Sequence, residues 1–248
     1  MLVAAAVCPA SPLLARELTG TAAVLPDLRQ ACAEAVAAAL DSQPDLVVVI
    51  GVAETADRWD PAGRLDLSVF APPLGRPEPL VPGLPPAVGL GAMLLDLAGY
   101  LGPRELHSVT EAEPAAACAD LGARLAGQEG RVAMLVLADG SARRTLKAPG
   151  YLDERSLPFD DEVARRLAGP DLAGLLAVDP ELARELMATG RPAWQVLAGA
   201  AGGLRAATEV RYSGDPFGVF YLVASLAFAP RPAVARRAEI EETILGKD

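Results

Sequence analysis

Three continuous apolar runs mark the buried strands of the chain. They occupy Leu2–Cys8 and residues 46–50 and 132–138. Such runs, each closed by Pro, Gly or a polar residue, are typical of strands buried on both faces of a mostly parallel sheet. Between the first two, apolar residues recur at spacings of three and four over residues 27–40, which predicts a helix with one buried stripe. The pattern therefore predicts an α/β fold whose central sheet, mostly parallel or mixed, carries helices on both faces.

The rest of the chain continues this alternation. Further strands are predicted at residues 65–70 and 105–109, and a terminal hairpin at residues 206–212 and 219–228. Helices are predicted at residues 87–100 and 114–126, from Asp160 or Asp161 to about 168, from Asp179 to about 188, and from Pro192 onward. The Pro-rich residues 71–86 lack periodicity and predict a surface connector. A single domain covering residues 1–248 accommodates this order.

Composition and charge narrow the possible partners. Asp and Glu number 32 against 22 Lys and Arg, and the resulting charge of −10 repels a phosphate backbone, so no nucleic-acid partner is expected. Cys8, Cys32 and Cys118 are odd in number and widely spaced, which favours a reducing cytoplasm over a disulfide framework or a zinc site. No apolar run approaches the roughly 20 residues of a membrane span, and the first residues lack a signal-peptide pattern. We expect a cytoplasmic protein without membrane insertion.

The candidate site lies where buried strands end, because open α/β sheets bind ligands beyond the carboxyl ends of their strands. Asp139, Ser141 and Arg143 follow the third run and are the candidate catalytic residues, with Asp139 as base and Arg143 or Arg144 stabilising an oxyanion. Arg143, Arg144 and Lys147 beside a flexible turn predict a site for a carboxylate or phosphate. The alternative is an ordinary loop with solvated charges.

Other strand ends and one helix start supply further ligand-binding candidates. These are Cys8, Ser11, Glu54 and Trp194, in addition to Arg144 and Lys147. Cys8 is a nucleophile if neighbouring cations lower its pKa, and a small core residue otherwise. A lone Trp is likewise more often part of a core than of a site.

Metal and nucleotide sites find little support in the sequence. His107 is the one histidine and lies inside a predicted strand, so no His-based iron or zinc site can be assembled. Rim carboxylates leave an oxygen-only metal site as an alternative. Neither phosphate-binding glycine fingerprint follows a strand. The sequence therefore predicts no metal and no cofactor.

Four segments together resemble a known family. They are Asp139-Gly-Ser-Ala-Arg-Arg144, Lys147-Ala-Pro-Gly-Tyr-Leu-Asp153, Pro158-Phe-Asp160 and Pro192-Ala-Trp-Gln-Val-Leu-Ala-Gly199. The chain resembles, nearly end to end, the superfamily of class III extradiol ring-cleavage dioxygenases, in a bacterial branch that lacks the metal-binding histidines. The resemblance implies a central α/β sheet with the site at the strand ends.

The resemblance also implies three histidines that this chain replaces. Ala10 stands where the family carries a His after the first strand, residues 51–54 replace a second His, and Ala142 replaces the catalytic His. The family's Glu ligand is not assigned to any residue of this chain. We therefore expect no stoichiometric iron and no ring cleavage, and a repurposed cleft that binds an anionic small molecule. The alternatives are a metal-free enzyme that uses Asp139 with Arg143 or Arg144, and a structural or regulatory protein. A homodimer is a further hypothesis.

Overall fold

A seven-stranded mixed sheet forms the centre of the protein. The structure is a computed structural model that describes residues 1–19, 24–70 and 83–230. In chain order the strands are β1 (Leu2–Cys8), β2 (Leu46–Val52), β3 (Asp57–Trp59), β4 (Arg64–Leu65), β5 (Gly83–Leu84), β6 (Arg104–Val109), β7 (Val132–Leu137), β8 (Leu204–Gly214) and β9 (Tyr221–Pro230). The order in the large sheet is β3-β6-β2-β7-β1-β9-β8, and β4 pairs with β5 separately.

Four neighbouring strands of the large sheet run parallel. β6, β2, β7 and β1 form this parallel centre. β9 pairs antiparallel with β1, β8 with β9, and β3 with β6. The predicted mixed sheet and its terminal hairpin are thus confirmed. All four parallel strands end at the same edge of the sheet, which is where a ligand site is expected.

Helices cover both faces of the sheet, as predicted. They are α1 (Arg16–Thr19), α2 (Pro26–Asp41), α3 (Pro86–Leu97), α4 (Ala115–Ala126), α5 (Ser156–Ala168), α6 (Pro180–Glu185) and α7 (Arg191–Ala201). Alternate side chains of β7 show both faces: Met134 and Val136 pack on the α4, α5 and α7 side, and Leu135 on the α2 and α3 side. Within the described ranges, no helix is long and apolar enough to cross a membrane.

Helices α4 and α7 approach each other closely, and glycine makes this possible. A Cβ at Gly122 would lie 2.0 Å from the carbonyl oxygen of Val196. A Cβ at Gly199 would lie 2.2 Å from that of Ala119. The contact holds α7 against the sheet, with Trp194 buried in the core. The first turn of α7 is thereby fixed beside the ends of the parallel strands.

Several predicted boundaries are wrong for identifiable reasons. The strand expected at residues 65–70 is only the two-residue β4, followed by a 3₁₀ helix (Leu67–Val69) that Asp66 caps by accepting the Ser68 N–H at 2.8 Å. The connector predicted at residues 71–86 lies outside the described residues up to residue 82, and residues 83–86 contain β5 and the start of α3. α5 begins four residues before Asp160, whose carboxylate is buried and bonded to Ser141 instead of capping the helix.

Candidate functional site

A cleft of about 610 Å³ opens at the carboxyl ends of the parallel strands. Its walls are residues 52–54 after β2, residues 110–112 after β6, and the start of α3, together with Ala10, Leu137, Asp139 and Thr189. The volume falls in the range of small-molecule sites. Segments that are distant in sequence meet here because the parallel strands β1, β2, β6 and β7 all end at this edge.

Asp139, the second residue after β7, brings a carboxyl group with a raised pKa into the cleft. Burial raises its pKa from the ordinary 3.8 to about 7, against a smaller lowering by the backbone N–H of Ala10, which its Oδ1 accepts at 2.9 Å. Its own carbonyl oxygen accepts the N–H of Gly190 at 2.9 Å. A carboxyl group that is about half protonated near neutral pH can give or take a proton in a ligand complex.

The charge of the cleft lining is negative. Its titratable side chains are Glu54, Glu111 and Asp139, and neither Lys, Arg nor His is among the described residues of the lining. Glu54 and Glu111 are exposed, so water screens their charges more than that of Asp139. The lining favours a neutral or cationic group over an anion.

The three cations predicted to form an anion site do not line this cleft. Arg144 places its Nε 3.0 Å from Asp215 and its Nη1 3.5 Å from Asp160, and its guanidinium lies 5.1 Å above the ring of Phe220. Arg143 is half-buried against Gly150, and its Nε has no hydrogen-bond partner. Lys147 is exposed. Arg144 therefore stabilises the packing of the loop of residues 139–155 against its neighbours.

Ser141 supports this loop from beneath. Its N–H and Oγ donate to the two carboxylate oxygens of Asp160 at 2.9 and 2.5 Å, and both residues are fully buried. Burial raises the pKa of Asp160 to about 6, although the bonds from Ser141 and the charge of Arg144 oppose the rise. Gly140 is required next to this pair, since a Cβ there would lie 2.8 Å from Asp160 Oδ1 and 2.6 Å from the Phe220 ring. Ser141 thus lies under the loop and outside the cleft lining.

The remaining candidates divide between lining and core. Glu54 lines the cleft. Cys8 is fully buried, and the neighbouring Cys32 and burial raise the pKa of its thiol, which is the opposite of an activated nucleophile. Ser11 is buried directly after the lining residue Ala10. Trp194 is a core residue, as its alternative interpretation expected.

Sequence reasoning missed one wall of the cleft. Thr110 and Glu111 directly follow β6, so the rule that selected Asp139 also selects them, yet no residue after that strand was chosen. Thr189 follows α6 and Arg191 begins α7, so neither residue follows a strand. No local pattern distinguishes them, because their position depends on how α7 packs.

The donor set does not fit the Fe(II) site that the family resemblance implies. Ala10 and Ala142 carry no ligand atom, and His107 lies within β6, where its Nε2 is 2.9 Å from Glu105 Oε2. In the part of the chain that the structure describes, no group of three His, Cys, Asp or Glu side chains is placed to hold a metal ion.

The fold and the cleft define an α/β protein with an open site at the ends of its parallel strands. No protein-family model and no curated protein matches the sequence. The chain is similar in structure to the crystal structure of uncharacterized protein JW3007 from Escherichia coli K12, with 14% identity and a TM-score of 0.51. The match covers 91% of this chain and 99% of that chain. At this identity the likeness shows the fold alone.

Proposed function

We propose that the protein binds a small molecule in the strand-end cleft and exchanges a proton with it through Asp139, without iron. The observation that carries the proposal is the position of Asp139: its carboxyl group lines a cleft of about 610 Å³ and has a pKa raised to about 7. Perturbed carboxyl groups in clefts are concentrated at functional sites. This develops the metal-free alternative, but without a role for Arg143 or Arg144.

Ring cleavage, which the resemblance to class III extradiol dioxygenases implies, has no part in this function. A facial iron triad needs two imidazoles and a carboxylate with open positions. The chain has Ala10 and Ala142 where the resemblance expects histidines. Ionised Asp139 accepts a proton from a ligand ammonium group, leaving the neutral amine, and protonated Asp139 returns it, so the step needs no further reactant.

The ligand we propose is neutral or cationic where it meets Asp139. The sequence favoured an anion because of Arg143, Arg144 and Lys147, but the charged groups of the lining are Glu54, Glu111 and Asp139. An anion placed there would meet these carboxylates, and no cation is among the described lining residues to offset them, since Arg191 is buried outside the lining and donates to the backbone carbonyls of Glu111 and Glu113. Amines and polyols fit the lining better than carboxylates and phosphates.

A ligand screen on matched variants tests this function. Wild type, Asp139→Asn and the exposed control Asp41→Asn are compared by melting temperature against amines, polyols, monocarboxylates, dicarboxylates and inorganic phosphate. We expect amines or polyols to stabilise wild type and the control, and Asp139→Asn to lose at least tenfold in affinity by calorimetry. A wild-type protein that responds to none of these compounds, or an Asp139 carboxyl that titrates near pH 4 by ¹³C NMR, would contradict the proposal.

A second candidate function is assembly as a homodimer, which exposed apolar side chains of the β7–α5 loop and of the turn after α6 favour. Leu146 is 62% exposed and Tyr151 is 63% exposed, and Leu152 and Met187 are also exposed. Such groups are typical of association surfaces when they are contiguous. Sedimentation velocity of wild type and Leu146→Ser/Tyr151→Ser tests it: a dimer that the double variant loses supports assembly, and a wild-type monomer at all concentrations contradicts it.

A further inference from the structure

Two walls of the cleft are held by one short segment at the start of α7. Gly190 donates its N–H to the carbonyl oxygen of Asp139 at 2.9 Å. The next residue, Arg191, donates Nη1 to the carbonyl oxygen of Glu113 at 2.9 Å and Nη2 to that of Glu111. Thr189, directly before them, lines the cleft itself. The segment of residues 189–191, here called the clamp, therefore joins the chain after β7 to the chain after β6.

The Arg191 side chain has an unusual environment for a charge. It is 2% exposed, and among the described residues no carboxylate lies within ion-pair distance of it. Its partners are neutral: two backbone carbonyls and the Oε1 of Gln195, at 2.7 Å from Nη1. Burying a guanidinium costs free energy that neutral acceptors repay only in part. A cationic fork at this position thus requires an explanation beyond core packing.

Arginine fits the clamp because of its shape. A planar guanidinium directs several N–H groups in one fork, so it can reach two carbonyls and an amide at once, whereas a lysine ammonium is a single point on a flexible stem. Gln195 accepts one N–H of this fork through its Oε1 and is itself fully buried. Its Nε2 points toward the carbonyls of residues 175, 176 and 178 at 3.4 Å. Gly190 must lack a side chain, because a Cβ there would lie 2.6 Å from the Asp139 carbonyl oxygen.

We propose that Arg191 is a positioning residue for the cleft: its guanidinium fixes the wall of residues 110–112 and, with Gly190, sets that wall's distance from Asp139. The role deepens the proposed function, on which it rests, since this wall bounds the cleft that Asp139 lines and limits how much water reaches its carboxyl. It makes no contact with the ligand. Loss of the fork loosens the wall, lets more water reach Asp139 and lets that carboxyl ionise more easily.

The test uses Arg191→Lys, which keeps the charge and removes the fork. Arg104→Lys is the matched control, because Arg104 is also mostly buried and donates to a backbone carbonyl, that of Pro61 at 2.9 Å, but from the opposite end of β6. Gln195→Met, which leaves Arg191 in place without its amide acceptor, replaces the first variant if that one loses its near-ultraviolet circular dichroism. Two quantities are measured: hydrogen exchange of the Glu113 amide, which donates to the Thr110 carbonyl at 3.1 Å, and the ¹³C titration of Asp139.

We expect exchange of the Glu113 amide to quicken at least tenfold in Arg191→Lys and less in Gln195→Met, with Arg104→Lys unchanged there. The ionisation constant of Asp139 should rise at least tenfold in Arg191→Lys. A residue that only stabilised the core would not change this constant. Unchanged exchange in both clamp variants, or faster exchange with an unmoved Asp139 titration, would overturn the role of Arg191. A wild-type Asp139 that titrates near pH 4 contradicts the proposed function, and the exchange rates then decide on the clamp by themselves.

Discussion

Replacing Asp139 by Asn should make the protein more stable at alkaline pH and leave it nearly unchanged at acid pH. The folded-state pKa of about 7 lies above the ordinary 3.8, so folding favours the protonated carboxyl. The contribution of Asp139 to the free energy of unfolding is therefore fully present below pH 3.8 and is lost as the pH rises through 7. At 1.36 kcal/mol per unit, the difference of about 3 units costs at most about 4 kcal/mol at high pH. Because Asp139 is partly exposed, solvent reduces this figure.

The Asn variant removes that cost and keeps the shape. Its Oδ1 can accept the Ala10 N–H as the carboxylate does, and no charge forms at any pH. Of this upper limit, at most about 2–3 kcal/mol falls between pH 5 and pH 8, and the partial exposure of Asp139 lowers that share as well. Urea unfolding at pH 5 and pH 8 measures this effect for wild type, Asp139→Asn and the control Asp41→Asn. The quantity compared is the difference in the free energy of unfolding between each variant and wild type, and how it changes between the two pH values. If wild type and Asp139→Asn keep the same difference at both pH values, the inference that Asp139 is desolvated is incorrect.

Three further predictions concern the packing around the site. Asp160→Ala should lower the free energy of unfolding at pH 7 by about 2–4 kcal/mol, because it leaves the N–H and Oγ of Ser141 buried without an acceptor. Urea unfolding checks this, with Ser141→Ala as the comparison, which should lower the free energy of unfolding by less. Gly122→Ala should lower the free energy of unfolding by at least about 1–3 kcal/mol, since the new Cβ would meet the Val196 carbonyl. A Cβ at Gly203 meets no atom within 4 Å, so Gly203→Ala should leave the free energy of unfolding nearly unchanged. Equal melting temperatures for the two variants would contradict the close approach of α4 and α7. The three thiols are buried, and burial raises the pKa of Cys118 to about 11. A thiol reagent at pH 8 should therefore react with the native protein at least a hundredfold more slowly than with the protein in urea. Rapid labelling of the folded chain would be inconsistent with the structure.

The order of strands and helices could be derived from the sequence. β1, β2 and β7 are continuous apolar runs, and the Pro and Gly residues that end elements act locally, so neighbouring residues suffice to indicate them. The edge of the sheet that carries the cleft also followed, because parallel strands bring Glu54 and Asp139 to one side. The three-residue β3 escaped prediction because an edge strand so short has almost no pattern of its own.

What the polar residues do was decided by the tertiary structure. Arg144 looked like part of an anion site, but Asp215, 71 residues away, and Asp160 occupy its guanidinium. Arg191 acquired its partners from a loop about 80 residues earlier in the chain. A side chain's charge state and partners depend on desolvation and on groups brought close by folding, and both are set by distances in space. Hydrophobic periodicity could therefore predict where the sheet ends, while only the packed fold could place Asp139, and not the cations, in the cleft.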